Sequence, residues 1–181
     1  MESQRNKPEK RDKPDKPNKR DTPILGITMG DPAGIGPEVI AKALKGTTLR
    51  RICSPIVIGS EEVMRRTVKS LKLKLAVRAV KGHEPVARRV DEIAVLDPLE
   101  RPLGDFRAGV AAAETGAASV AFIRKAVQLV QGECLDGMVI GLINKEAINM
   151  VGCHYSGHTE LLVDLTQTQE SGMMIIGGLL K

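Results

Sequence analysis

Short apolar runs alternate with amphipathic segments through residues 23–181, and this alternation limits the folds open to the chain. Apolar runs of about four to eight residues are typical of buried strands, whereas apolar residues at three- and four-residue spacing are typical of helices. Strands that alternate with helices favour a largely parallel sheet covered by helices. The sequence therefore predicts an α/β fold, whose ligands bind on the loops that follow the strands.

The predicted elements can be placed from this pattern and from the residues at their ends. Predicted strands cover residues 24–29, 55–59, 73–80, 92–97, 136–143 and 172–176. Predicted helices cover residues 37–44, 60–71, 112–131 and 144–152, and a further one starts near residue 159. Pro37 suits a first helical position, and Ser60 suits an N-cap. The alternating pattern of residues 73–80 indicates a strand at an edge of the sheet or one with a half-exposed face.

Positive charge is concentrated at the N-terminus. The chain has 27 Lys and Arg against 22 Asp and Glu, a net charge of +5, and residues 1–22 account for +3 of it. That segment repeats Lys-Pro and carries no large apolar residue after Met1, so we predict a disordered basic tail over residues 1–22. A role for the tail in nucleic-acid binding or targeting is the less favoured alternative.

The remaining composition argues against several partners and sites. Residues 23–181 are nearly balanced in charge and aromatic residues are scarce, so nucleic acid is not an expected partner. No apolar run approaches the ~20 residues of a membrane span, so a membrane is not expected either. The three cysteines, Cys53, Cys134 and Cys153, are odd in number and form no C-x-x-C pair. Reduced thiols and a cytoplasmic location are therefore predicted.

The segment GDPAGIGPE, residues 30–38, joins the first predicted strand to the first predicted helix. It matches neither the P-loop pattern nor the G-x-G-x-x-G spacing. Gly34 and Gly36 allow a positive φ or a close backbone approach, and free N–H groups at the helix start can face an anion. A tight connection without a ligand is the equally favoured alternative. Asp31 is either a cap or a polar group in a cleft.

The segment INKEAINMVGCHYSGHTELL, residues 143–162, contains the densest set of chemically capable side chains: Asn144, Lys145, Glu146, Cys153, His154, His158, Thr159 and Glu160. We interpret Gly157 as the end of a loop, with His158 and Thr159 at the opening of the next helix. An imidazole, a hydroxyl and unpaired backbone N–H groups would converge there on an anion such as phosphate. The alternative is that Thr159 merely caps the helix and His158 is a surface residue.

Other functions of this segment are less favoured. A zinc pair of His154 and His158 would need a continuous helix, which a Ser-Gly pair between them interrupts. A nucleophilic Cys153 beside His154 lacks an orienting third group. Lys145 either meets a phosphate or carboxylate or is an exposed residue of a first helical turn.

The ordered pair of TMGDPAGIGPE and NKEAI…GHTELL, with an alanine-rich helix ahead of the second motif, resembles the 4-hydroxythreonine-4-phosphate dehydrogenase (PdxA-like) family. The amino-acid sequence of the first motif is more similar to that of the family branch that includes D-threonate and D-erythronate 4-phosphate dehydrogenases. The resemblance covers residues 23–181. It implies a three-layer α/β/α fold of the isocitrate and isopropylmalate dehydrogenase type, which this chain contains incompletely, and a homodimer with its active site at the dimer interface.

The resemblance also implies an activity. It is the NAD-dependent oxidation, with possible decarboxylation, of a 4-phosphorylated hydroxy acid, assisted by a divalent metal cation. The family's substrate-contacting His-Thr pair falls on His158 and Thr159, whereas catalytic and cofactor-binding residues are not assigned. In the family the metal ligands lie beyond the position of residue 181, so no metal ligand is expected in this chain, and His83 and His154 are not substitutes.

Two departures from the family pattern affect these expectations. Residues 23–181 correspond to the N-terminal part of a family subunit, so this truncated chain is expected to be inactive by itself. The alternative function is that of a non-catalytic paralogue or phosphate-ligand binding module. Ile140 and Leu142 stand where the family usually has threonine and proline, which leaves the geometry of the loop before Lys145 open.

Overall fold

A computed structural model describes residues 22–81, 89–155 and 157–177 of the chain. The predicted tail, apart from Thr22, lies outside the described residues, as do His83 and Ser156. None of the described helices combines the length and the apolar content that crossing a bilayer requires.

The described residues form a five-stranded parallel sheet, which confirms the predicted α/β fold. Its strands are β1 (Ile24–Thr28), β2 (Ser54–Ile58), β3 (Ala76–Ala79), β4 (Glu92–Leu96) and β5 (Gly137–Val139). They are arranged in the order β3-β4-β2-β1-β5, so β3 lies at an edge as its alternating pattern predicts. The inner strands β2 and β4 are buried along their whole length.

Six helices connect or follow these strands in the described parts of the chain. They are α1 (Gly36–Leu44), α2 (Thr48–Ile52), α3 (Glu61–Ser70), α4 (Ala113–Gln131), α5 (Lys145–Asn149) and α6 (His158–Thr166). Ser60 is the N-cap of α3, as predicted, and its hydroxyl accepts from the Val63 N–H at 3.4 Å. The short helix α2 was not predicted from the sequence. Its buried Arg50 donates to backbone carbonyls of Leu44 and Glu92, and so ties α2 to α1 and β4.

Aliphatic side chains make up two hydrophobic clusters. The larger one fills the space between the sheet and the helices α1, α3 and α4, with Phe122 of α4 fully buried in it. The smaller one consists of Ile123, Val127 and Leu161, with partly buried neighbours that include Ile140 and Ile143. The smaller cluster therefore holds α6 and the segment after β5 against the same helix, α4.

Three strand predictions differ from the structure, and the first is β3, which covers only Ala76–Ala79 of the predicted residues 73–80. The predicted strand 172–176 is wrong: residues 173–176 belong to no strand of the described sheet, and they are 72–78% exposed. An apolar run forms a strand only where a neighbouring strand pairs with it, and no described strand lies beside this one. Strand β5 is shorter than predicted and ends at Val139. Beyond it, the Gly141 N–H donates to Thr28, the last residue of β1, and the Leu142 carbonyl accepts from Asp31 in the loop after β1.

Candidate functional site

The loop after β1 is folded tightly on itself. Gly30 adopts a φ of +74°, which L side chains rarely accept. The Asp31 side chain is 3% exposed, and its Oδ1 accepts from the Ala33 N–H at 2.9 Å. The Asp31 carbonyl accepts from the Gly34 N–H, also at 2.9 Å. Asp31 therefore braces this loop through local backbone bonds and is not the N-cap of α1.

The predicted close backbone approach in this loop occurs at Gly36. A Cβ added to Gly36 would lie 2.2 Å from the Met29 carbonyl oxygen, so only glycine fits. Gly34 has neither such a contact nor a positive φ; the left-handed residue of the loop is Gly30. The N-cap of α1 is Ile35, and no side chain caps this helix. The first-turn N–H groups of α1 consequently have no side-chain acceptor.

The loop after β5 is joined to the loop after β1, backbone to backbone. The Asp31 N–H donates to the Leu142 carbonyl at 2.8 Å. The Gly141 N–H lies 3.1 Å from the Thr28 carbonyl oxygen and 3.0 Å from the Thr28 Oγ1. A Cβ on Gly30 would lie 2.2 Å from the Leu142 carbonyl oxygen. Both predicted loops thus meet at the carboxyl edge of the sheet, where α/β proteins bind ligands.

Helix α4 contacts both the loop after β1 and helix α5. The Ser119 hydroxyl lies 2.9 Å from the Thr115 carbonyl oxygen and 3.1 Å from that of Gly30. Gly116, one turn earlier, allows the Ala147 carbonyl of α5 to come so close that an added Cβ would lie 2.1 Å from it. Sequence reasoning missed these contacts. Their signal is the clustering of two hydroxyls and a glycine on one face of an otherwise apolar helix.

Helix α5 begins directly beside these loops. Asn144 is its N-cap, and the Asn144 Oδ1 accepts from the N–H groups of Glu146 and Ala147 at 3.0 and 3.2 Å. Lys145 is the first helical residue and is exposed.

His158 and Thr159 are the first two residues of α6, at the helix opening predicted from the sequence. The N-cap is Gly157, in an extended conformation, and this cap residue has no side chain to accept a hydrogen bond. The alternative that Thr159 is the cap is therefore wrong. Both side chains are half-buried, and the buried Nε2 of His158 has no hydrogen-bond partner among the described residues. Buried polar atoms are nearly always paired, so an unpaired one suits a ligand.

The segment before α6 is tied back to that helix. The Tyr155 hydroxyl donates to Oδ2 of Asp164 at 2.7 Å. This hydrogen bond raises the pKa of Tyr155 above its ordinary value, because ionisation would break the bond and place two negative charges together. His154, by contrast, is exposed. Among the described residues, no three His, Cys, Asp or Glu side chains come together in a group that could hold a metal ion.

The chain matches known proteins of one family. The family model described as pyridoxal phosphate biosynthetic protein PdxA matches residues 51–181. A 4-hydroxythreonine-4-phosphate dehydrogenase of Desulfosudis oleivorans is 37% identical over 169 residues, which cover 88% of this chain and 47% of the relative. A protein of Symbiobacterium thermophilum, provisionally named D-threonate 4-phosphate dehydrogenase, is 34% identical over 148 residues, or 82% of this chain and 44% of the relative.

Solved structures agree with these sequence matches. The crystal structure of a 4-hydroxythreonine-4-phosphate dehydrogenase from Burkholderia phymatum superposes with a TM-score of 0.81 at 32% identity, over 87% of this chain and 48% of that one. A terephthalate 1,2-cis-dihydrodiol dehydrogenase from Burkholderia xenovorans gives a TM-score of 0.64 at 25% identity, over 80% and 40% of the two chains. The chain thus spans about half of the length of the relatives it matches. Since the family model extends over more than half of its residues, this chain belongs to the PdxA family.

Proposed function

We propose that residues 23–181 form the N-terminal part of a dehydrogenase that oxidises a secondary alcohol of a 4-phosphorylated hydroxy acid. The substrate is D-threonate 4-phosphate, D-erythronate 4-phosphate or 4-hydroxythreonine 4-phosphate, and NAD accepts the hydride. Relatives with the corresponding dehydrogenase names support the reaction class. The observation that carries the proposal for this chain is the buried Nε2 of His158, in the first residue of α6, which has no hydrogen-bond partner among the described residues.

In this proposal His158 and Thr159 bind the substrate. The imidazole Nε2 hydrogen-bonds to a substrate oxygen, and so acquires the partner that the described residues do not supply. The Thr159 hydroxyl, at the N-terminal end of α6, faces the negative charge of the phosphate. The joined loops after β1 and β5 form a rigid wall of the cleft, because their contacts are between backbone atoms.

A divalent cation and a second subunit complete the proposal. The family resemblance implies both, and the whole enzyme would act as a homodimer. The described residues do not bring together a set of donors for the cation, so no step of the reaction is routed through it here. The binding roles of His158 and Thr159 do not depend on it. By itself the 181-residue chain is therefore expected to bind the phosphorylated acid with little or no turnover.

A second candidate function is that of a non-catalytic module that binds a phosphorylated ligand. One observation favours it: the elements proposed to bind the phosphate all lie within the described part of this chain. A ligand that binds the native state raises the melting temperature by mass action, whether or not it is turned over. Binding and turnover must therefore be measured separately.

The experiment combines a thermal-shift titration with an NADH absorbance assay on the purified chain. Each of the three phosphorylated acids is compared with its unphosphorylated parent. A shift with a phosphorylated acid but not with its parent supports phosphate recognition. NADH formation decides between the two candidates, and rapid, metal-dependent NADH formation would refute the expected inactivity of the chain. Silence with all three acids in both measurements would refute the proposed substrate class.

Replacing His158 by alanine tests the assigned binding residue. We expect the dissociation constant of the phosphorylated acid to rise by roughly tenfold or more, because a hydrogen bond to a charged group contributes ~1.5–3 kcal/mol. His154→Ala is the matched control, since His154 is exposed and four residues earlier on the same segment. Equal affinities of the His158→Ala variant and the unmodified chain would contradict the role of His158, while binding itself would remain established.

A further inference from the structure

A second cleft opens beside α4, at the carboxyl ends of β3 and β4. Its volume is about 720 Å³. The lining residues come from the ends of both strands, one face of α4 and the segment after α5, and they include Lys81, Asp97, Arg124, Lys125 and Cys153. None of them belongs to the loop after β1 or to the opening of α6. This cleft is therefore distinct from the proposed substrate wall and does not depend on the proposed function.

The cleft is shaped for a small molecule. Ala117 and Ala121 lie on the α4 face that lines it, and their short side chains leave the space that a ligand would fill. Cavities of ~300–1,000 Å³ are typical of small-molecule sites. The volume is larger than inorganic phosphate alone would need.

The charges in the cleft are strongly unbalanced. Lys81, Arg124 and Lys125 contribute three positive charges, and Asp97 is the acid among the described lining residues. The Asp97 carboxylate is already engaged: its Oδ2 accepts from the Glu61 N–H at 2.9 Å and its Oδ1 from the Leu99 N–H at 3.0 Å. In the described part of the chain, none of the three basic side chains forms an ion pair or a hydrogen bond.

From this arrangement we infer that the cleft binds a phosphorylated small molecule with at least two negative charges. Three unpaired cations that converge on one concave space repel each other, and an anion between them relieves that repulsion. The guanidinium of Arg124 can bind two phosphate oxygens at once, and the two lysines supply point charges. The ligand approaches Cys153, which is half-buried in the same lining.

The thiol of Cys153 provides a direct test of occupancy. The purified chain is treated with neutral iodoacetamide in the absence and presence of inorganic pyrophosphate, and the alkylation of each cysteine is followed by peptide mass spectrometry. We expect pyrophosphate to slow alkylation of Cys153 severalfold, because the bound anion shields the thiol. Cys134, a half-exposed cysteine outside the cleft, is the internal control and should react at an unchanged rate.

Variants of the basic residues test whether their side chains cause the protection of Cys153 by pyrophosphate. The double variant R124Q/K125Q should lose the protection, R124K should largely retain it, and Lys45→Gln, an exposed lysine outside the cleft, should leave it unchanged. Arg124 is exposed and Lys125 half-buried, so circular dichroism should show the double variant to be folded. Three results would overturn the inference. Pyrophosphate could slow the alkylation of Cys134 as much as that of Cys153, or it could still protect Cys153 in the double variant. A single-stranded oligonucleotide could also protect Cys153 more strongly than pyrophosphate does.

Discussion

Replacing Gly30 by alanine should disrupt the joint between the loops after β1 and β5. The substitution acts twice, because Gly30 has a φ of +74° and because its new Cβ would lie 2.2 Å from the Leu142 carbonyl oxygen. The contacted atom is backbone, so a rotamer change cannot relieve the clash. The segment of residues 141–142 must move away from the loop, and the hydrogen bond from the Asp31 N–H to the Leu142 carbonyl is lost.

The expected loss of stability can be worked from these contacts. A left-handed conformation costs an L residue about 1–2 kcal/mol. Loss of the Asp31 bond and of the bond from the Gly141 N–H to Thr28 removes about 1 kcal/mol each. The Gly30→Ala variant should therefore have a free energy of unfolding lower by roughly 3–4 kcal/mol.

Substitutions at two other glycines separate the cost of the positive φ from the cost of the clash with Leu142. Gly152 has a φ of +77° with no atom within 4 Å of an added Cβ, so Gly152→Ala should cost only the conformational strain, about 1 kcal/mol. Gly46 has neither a positive φ nor a neighbour within 4 Å, so Gly46→Ala should change stability by at most about 0.5 kcal/mol.

Urea unfolding followed by circular dichroism measures all three variants, because the chain has no tryptophan for fluorescence. The midpoint should fall most for Gly30→Ala, at an unchanged slope against urea. If Gly30→Ala and Gly152→Ala lose equal stability, the close approach of the two loops would be refuted, since only the strain common to both would then be present.

Two further predictions concern a titrating hydroxyl and a buried cation. Tyr155 is the one tyrosine of the chain, so tyrosinate absorbance in a pH titration reports its ionisation alone. The titration midpoint should lie above the ordinary pKa of ~10, and Asp164→Asn should lower it. Identical midpoints for the unmodified chain and the Asp164→Asn variant would contradict the hydrogen bond. Because the pKa is raised in the folded chain, the stability that this bond contributes is present below pH ~10 and is lost as the pH rises through the raised value. Arg50→Met should lower the free energy of unfolding by about 2 kcal/mol, because it removes charge-assisted hydrogen bonds to backbone carbonyls of α1 and β4. Arg51→Met, at the exposed neighbouring residue, is the control and should change this free energy by less than about 0.5 kcal/mol. Equal losses of stability for the two variants in urea unfolding would exclude the assigned role of Arg50.

The sequence predicted those parts of the fold that depend on local pattern. The strand at residues 24–28, the start of α1 within one residue of Pro37 and the Ser60 cap of α3 each follow from neighbouring residues. The opening of α6 at His158 was predicted for the same reason, because a glycine precedes a run of helix-forming residues. The binding role of His158 and Thr159 stays a prediction, since local pattern places the residues but not the ligand.

Contacts between distant segments could not be predicted in this way. The bond between Gly141 and Thr28 joins residues 113 positions apart. Nothing in the pattern around Gly30 marks it, rather than Gly34 or Gly36, as the left-handed residue. The exposed run 173–176 shows the opposite error, because its apolar residues are strand-like by composition but have no described neighbour to pair with.

The hydrogen bonds that join the loops after β1 and β5 do not use the side chains of Ile140 and Leu142, the two residues that depart from the family pattern. Leu142 contributes its carbonyl oxygen to the Asp31 bond, while its side chain is 59% exposed. Ile140 is partly buried and packs against the smaller hydrophobic cluster. Either side chain can therefore change while the hydrogen bonds of the joint persist. Substitutions at these two positions should alter the surface next to the cleft, whereas substitutions at Gly30, Gly36 or Gly141 should alter the wall itself.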